Sequence, residues 1–166
     1  MAAEPMIKGV RQIGLYAPDP DALAEFYQAM LELHIVSQGE LNADGIRRSV
    51  LLNNRPGVDQ HLVIIYADPG IRHVAFEVES LADLQRCYQR IVDHDLPIRW
   101  ALNHGVALAF YFDDPAGNLI KLYWSTGESF PQPHGHPIDL NLSEAALHQD
   151  VANLIAELKR SNGEKT

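Results

Sequence analysis

Cysteine is nearly absent. Cys87 stands alone among 166 residues, so no internal disulfide can brace the fold. It falls on the apolar face of an expected helix, which reads as buried core and not as a catalytic thiol. Positive charge is short as well. Lys and Arg number 13 against 22 Asp and Glu, for a formal net charge of −9. That balance repels nucleic acid and anionic membrane surfaces, and no basic stripe interleaved with aromatics offsets it. Neither nucleic acid nor membrane is an expected partner. Long apolar runs are missing too. None spans a bilayer, and the N-terminus carries no secretory h-region, which gives the expectation of a soluble, cytoplasmic chain. What is present is a 46% hydrophobic content, enough for the core of one compact domain.

The most informative feature is an internal repeat. Residues 10–31, "VRQIGLYAPDPDALAEFYQAML", align without a gap on residues 71–92, "IRHVAFEVESLADLQRCYQRIV", at an offset of 61. Arg11 meets Arg72, Tyr27 meets Tyr88, and Gln28 meets Gln89. Both copies share one grammar, a short strand and then a helix. Asp19 can cap the first helix, with Pro20 at its first position, where a missing N–H costs nothing. Its apolar stripe is Leu23, Phe26, Tyr27, Met30 and Leu31. Ser80 and Asp83 make a capping-box-like start for the second helix, whose stripe is Leu84, Cys87, Tyr88, Ile91 and Val92.

Three strand-like runs follow each helix, at roughly 34–38, 47–53 and 60–66 and then at roughly 97–102, 107–113 and 118–125. Gly39, Asp44-Gly45, Pro56-Gly57, His104-Gly105 and Pro115–Asn118 punctuate them. The expected class is α+β, with two tandem βαβββ modules, about 7–68 and 69–125, inside a single domain over 1–125. Each module has a helix on one sheet face. Side by side, two such modules curve a mixed sheet into a cup. Residues 126–166 then form a Pro-rich connector and, from Ser143, an amphipathic C-terminal helix. That helix carries Ala146, Leu147, Val151, Leu154, Ile155 and Leu158 on one side. Such a stripe must bury itself, either on its own domain or on a second copy in a homodimer. The tail from Ser161 is expected to fray.

Alternation assigns the cup-facing side chains. They are Gln12, His73 and Lys121, then His61 with Val63 and Ile65, and Tyr111 with Ala109. Lys121 lies in the middle of the apolar strand "GNLIKLYW". It either guards an exposed edge or points into the cavity. The equivalence of Gln12 and His73 at the repeat offset favours the cavity. His134 and His136 in "PQPHGHP" read as connector, and His34, His94 and His148 as surface or helix-end residues.

Paired βαβββ modules with "RHVAFEV" and "NHGVALAFYFDDPAGNLIKLYW" resemble the vicinal oxygen chelate superfamily over roughly 7–125. That superfamily contains glyoxalase I, bleomycin-resistance proteins and type I extradiol dioxygenases, and the second half is most similar to the dioxygenases. The resemblance implies a facial triad of two histidines and a glutamate holding Fe(II) or Mn(II). The matching positions here are Gln12, His73 and Lys121, so His73 alone is a metal ligand of the usual type. By the same resemblance His61 is an acid–base, and His104 and Tyr111 hold the diol or its cleavage product. Lys121 exchanges a carboxylate for an ammonium with donors and no acceptor.

The expected function is that of an extradiol ring-cleavage dioxygenase-like protein with an altered metal site. Its pocket suits a small aromatic, catechol-like or carbonyl compound, anionic in one form. The alternative is a non-catalytic binding or sequestering protein of the bleomycin-resistance type. A structural paralogue of an active relative is a third reading. No cofactor is expected, or Fe(II) or Mn(II) where the family chemistry survives. Lys121 should find a counter-charge, either Glu77 or the ligand itself.

Overall fold

The computed structural model describes residues 6–41, 47–57, 61–130 and 132–163. The Asp44-Gly45 turn lies outside the described residues. The elements run β1 (Ile7–Tyr16), α1 (Pro20–Leu31), β2 (His34–Leu41), β3 (Arg47–Asn53), β4 (Val63–Tyr66), β5 (His73–Val78), α2 (Leu81–Asp93), β6 (Ile98–Asn103), β7 (Ala107–Asp113), β8 (Leu119–Ser125), β9 (His136–Pro137) and α3 (Glu144–Gly163). Two βαβββ units therefore follow one another, as the repeat requires.

Their strands make one mixed sheet in the order β2-β3-β4-β1-β5-β8-β7-β6-β9. Within each unit the first strand pairs in parallel with the last, β1 with β4 and β5 with β8. The two units meet where β1 and β5 run antiparallel. The second half thus repeats the first outward from this central pair. Lys121 on β8 lies between β5 and β7, so it is an interior-strand lysine and the edge reading is excluded.

Local chemistry sets the helix starts. The Asp19 carboxylate accepts from Ala22 N at 3.1 Å, with Pro20 next in line. Ser80 Oγ accepts from Asp83 N at 3.1 Å and donates to the Asp83 carboxylate at 2.6 Å. The two helices then differ. α2 buries Leu81, Leu84 and Cys87, and α3 adds Leu147, Val151 and Ile155 to the same core with Leu108, Phe110 and Leu122 of the sheet. The last helix therefore lies on its own domain. Ala146 is exposed and does not join the buried stripe. The helix also continues past Ser161 to Gly163, where fraying was expected.

α1 packs less deeply. It seats Ala24, Leu23 and Tyr27 on Val50, Leu52 and Ile65. Phe26, Met30 and Leu31 of its expected stripe stay 54%, 63% and 59% exposed. The apolar arc of this helix is wider than the sheet surface beneath it. Among the described residues no second helix flanks α1 as α3 flanks α2, and Val10 and Ile13 of β1 are exposed as well.

The connector is part of the architecture. His136 and Pro137 pair with Asn103 and Leu102 of β6 as a ninth strand. At the opposite edge of the sheet, Ser37 Oγ donates to the Gln132 carbonyl. A Cβ on Gly39 would come within 3.0 Å of the Pro133 ring. Residues 132–137 therefore strap the two edges of the curved sheet together across the mouth of the cup.

Candidate functional site

The helix-free face encloses a cavity of about 1070 Å³. All six expected site residues, Gln12, His61, His73, His104, Tyr111 and Lys121, line it. Strand register explains the convergence. Trp100, Tyr111, Lys121, Ala75 and Gln12 are successive cross-strand partners from β6 to β1. Side chains in such a row share a sheet face. Ala75, fully buried, is the short member. Its methyl leaves the gap through which Lys121 Nζ reaches Gln12 Oε1 at 3.2 Å.

Gly14 performs a similar service for His73, its cross-strand partner. A Cβ there would stand 2.5 Å from His73 Nδ1. Without one, the imidazole lies over the β1 backbone and presents both nitrogens to oxygens. Nδ1 is 2.9 Å from the Ile71 carbonyl, and Nε2 is 3.3 Å from Gln12 Oε1. A neutral ring donates from one nitrogen only. The shorter contact takes the proton, so Nε2 keeps its lone pair toward the cup. Burial, with the Lys121 charge added, holds the His73 pKa down at about 4.

His104 is set by the turn that contains it. Asn103, fully buried, accepts from Gly105 N at 2.8 Å and donates to Asp150 on α3 at 3.0 Å. His104 Nδ1 donates to the His134 carbonyl, which leaves Nε2 to accept from the Tyr111 hydroxyl at 3.2 Å. Burial first, then Lys121, depresses His104 to about 3. Burial also keeps the Tyr111 phenol protonated by raising its pKa well above the usual value.

His61 reaches the cavity by a different route from the one expected. β4 begins at Val63 after a bend at Leu62, so the alternation is reset. Ile64 and Tyr66 line the cup, while Val63 and Ile65 pack under α1. His61 is tied to the site by its carbonyl, which accepts from Gln12 Nε2 at 3.4 Å.

Lys121 is 6% exposed as a residue, and its Nζ lies inside the cup. It stands 5.7 Å from the Tyr111 ring centroid and 5.2 Å from that of Tyr123. Desolvation pushes its pKa down to about 8. Glu77 is not its counter-charge, because that carboxylate turns to Lys8 at 3.2 Å and Arg11 at 3.6 Å. Among the described residues Lys121 forms no ion pair with a carboxylate.

Other lining residues were not singled out from sequence. Tyr66, Trp100 and Tyr123 give the wall its aromatic character, with Ser49, Asp68 and Gln132 among the polar groups. The polar backdrop comes in part from the strap, where Gln132 Nε2 donates to the His104 carbonyl at 3.0 Å. Tyr123 stands two residues from Lys121 on β8 and so shares its face. Gln132 belonged to a connector with no regular periodicity, and its neighbours in space are far away in sequence.

The fold and this cavity together define a class. The chain belongs to the glyoxalase/bleomycin resistance protein/dioxygenase superfamily, whose family model matches residues 9–122. Biphenyl-2,3-diol 1,2-dioxygenase 2 of Rhodococcus globerulus is 23% identical over 148 residues, covering 80% of this chain and 75% of the relative. The fold is similar to that of a halotolerant catechol dioxygenase, at 21% identity and a TM-score of 0.58, over 79% of this chain. The match spans only 42% of that dioxygenase. It is also similar to methylmalonyl-CoA epimerase from Mycobacterium tuberculosis, at 21% identity and a TM-score of 0.54, over 80% of this chain and 94% of the epimerase.

The metal of the resemblance, Fe(II) or Mn(II), can be tested against the residues that stand at its three positions. His73 Nε2 is a suitable donor. Gln12 Oε1 is a neutral amide oxygen already accepting from Lys121. Lys121 in its ammonium form repels a divalent cation and has no lone pair to give. Among the described residues, no group of three His, Cys, Asp or Glu side chains is arranged to hold a metal ion, the histidines of the cup included. The donor set does not fit the metal.

Proposed function

We propose that the cup binds a small aromatic, catechol-like or carbonyl compound, and that the metal-centred ring cleavage of the dioxygenase relatives is lost or changed in this chain. The observation that carries this reading is the Lys121–Gln12 hydrogen bond. It joins two of the three metal-ligand positions and puts a positive side chain where the family places a carboxylate. The groups expected to hold a diol, His104 and Tyr111, stay in the cavity and bond to one another. A wall of Trp100, Tyr66, Tyr111 and Tyr123 suits a planar ring.

Two behaviours fit such a pocket, turnover without the usual metal and binding without turnover. Sequestration of the bleomycin-resistance type is the second. Purification without chelator, metal analysis and oxygen uptake with catechol separate them from the family chemistry. Metal-free protein that binds catechol in a calorimeter and consumes no oxygen is the expected outcome. Stoichiometric iron with catechol-dependent oxygen uptake would overturn the proposal.

A further inference from the structure

We infer that Lys121 captures small aldehydes or ketones covalently and reversibly, its Nζ adding to the carbonyl carbon inside the cup. The inference rests on the pocket reading above and adds a bond to it. Four observations lead here. The amine is on an interior strand and buried, yet it lines a cavity of about 1070 Å³. Its hydrogen-bond acceptor is the neutral amide oxygen of Gln12, and no carboxylate among the described residues pairs with it. A carboxylate would hold the proton on nitrogen; an amide holds it less firmly. Two tyrosine rings flank the nitrogen at 5.2 and 5.7 Å and favour a cation at that point. Finally, the neutral His73 imidazole turns its Nε2 lone pair to within 3.3 Å of Gln12 Oε1, the atom that accepts from Lys121, which places a proton acceptor in the same polar cluster.

The chemistry balances without an oxidant or reductant. The unprotonated amine attacks the carbonyl carbon, and the C=O π electrons move to oxygen. A proton passes from nitrogen to that oxygen by way of His73, giving a carbinolamine. The proton that the ammonium first gave up to solvent returns to the carbinolamine hydroxyl, and water leaves as the nitrogen lone pair forms the C=N bond, giving a protonated imine. Ammonium and carbonyl thus become iminium and water. The product carries the same single positive charge in the same place, between the same rings, with one N–H still available to Gln12 Oε1. The site built for the ammonium therefore also suits the iminium. The downward displacement of the Lys121 pKa acts in the same direction, since it enlarges the nucleophilic fraction near neutrality.

The test uses the full chain with benzaldehyde and 2-hydroxybenzaldehyde as probes. After incubation with each, sodium cyanoborohydride reduces any imine to a stable amine, and peptide mapping by mass spectrometry locates it. The expected result is one adduct per chain on Lys121, with little on the exposed Lys8 and Lys159. Lys121→Arg, which keeps the charge but not the nucleophile, should lose that adduct and leave the other two unchanged. Adducts spread over Lys8 and Lys159 with none on Lys121 in the wild-type chain would overturn the inference, whatever the variant does. Calorimetry with benzoate and catechol separates the two levels. Binding without an adduct sinks the covalent step and leaves the pocket reading standing, whereas neither binding nor adduct sinks both.

Discussion

Lys121 and Gln12 are 109 residues apart in sequence and joined by a single hydrogen bond, Nζ to Oε1 at 3.2 Å, passing over Ala75. The bond ties the last strand of the second module to the first strand of the first. It also brings the Lys121 nitrogen to the wall of the cavity beside Gln12 and His73. On the reading proposed above, an ammonium here takes the place of a metal cation.

The first prediction reverses that exchange. Gln12→His with Lys121→Glu supplies two ligands beside His73, whose ring is already oriented by the Ile71 carbonyl. The wild-type chain should bind Mn(II) weakly, and the double variant should bind about tenfold more tightly or better, on the scale by which ligand support changes metal affinity. Manganese titration followed by electron paramagnetic resonance reads both. Equal affinity of the two proteins would remove the argument that these are the altered ligand positions.

Gly14 is the second target. Its position opposite His73 leaves no room for a methyl, which would meet Nδ1 at 2.5 Å and Cε1 at 2.7 Å. The ring cannot yield freely, because it is buried and its Nδ1–H is bonded to the Ile71 carbonyl. Gly14→Ala should cost roughly 1–3 kcal/mol, the range for overpacking a close-fitted interior. Urea unfolding measures the cost. Ligand affinity should fall with it, since the displaced ring intrudes on the cavity that it lines.

Much of this was legible in the sequence, for a physical reason. The repeat, the caps and the period-two alternation are local signals, and they placed both modules, both helix starts and the cup-facing set Gln12, His73, Tyr111 and Lys121. Failures came where local rules end. His61 precedes a bend that resets the alternation, so Val63 and Ile65 face α1 and not the cavity. Phe26 and Met30 obey helical spacing, but burial depends on what lies opposite, and nothing does. Glu77 shares a strand face with His73, yet Lys8 and Arg11 on the neighbouring strand capture it first. Ala75 and Gly14 shape the site through what they lack, and a missing side chain carries no pattern.

Acid should destabilise the fold through the buried histidines. His73 and His104 titrate near 4 and 3 in the folded chain, against an ordinary value of 6.5. The unfolded chain binds protons first, so their contribution is complete above about pH 6.5 and fades as pH falls toward 4 and then 3. Lys121 has the same sign at higher pH. Its folded value is about 8 against 10.5, so stability should rise between those two values as the unfavourable buried charge is lost. Lys121→Met removes this alkaline rise. It should also raise the pKa of both histidines, because the lysine charge is the second cause of each depression. Histidine titration by NMR checks the shifts, and unfolding across pH checks the slopes.

The strap across the mouth is held unequally at its two ends, because Gln132 and His134 also bond to His104 of the second module. Ser37 Oγ to the Gln132 carbonyl is its anchor on the first module, and the His136–Asn103 pairing is its anchor on the second. Ser37→Ala should cost about 1 kcal/mol, typical of one hydrogen bond. Amide hydrogen exchange within 132–137 should quicken while exchange in α2 stays unchanged. Uniform quickening would mean the bond supports the whole fold and not the strap.

The last prediction concerns ligand charge. An isolated ammonium in a largely apolar cavity is costly, and among the described residues the hydrogen-bond partner of Lys121 is an amide oxygen. A ligand carboxylate or catecholate would complete the pairing. Aromatic acids should therefore bind more tightly than neutral analogues of the same shape. Breaking a partly buried charged contact costs about 2–5 kcal/mol, which is roughly a 30-fold or greater loss of affinity. Lys121→Met keeps the length of the side chain and removes the charge, so it isolates the electrostatic part. Calorimetric titration of both proteins with benzoate, catechol and benzyl alcohol, repeated across a range of salt, supplies the comparison. The wild-type preference for benzoate should vanish in the variant, while affinity for benzyl alcohol changes little. Salt should weaken benzoate binding only modestly, because the pair forms inside the cup where screening is poor. If acids and neutral analogues bind alike to both proteins, Lys121 does not anchor the ligand, and the aromatic wall alone sets what the cup accepts.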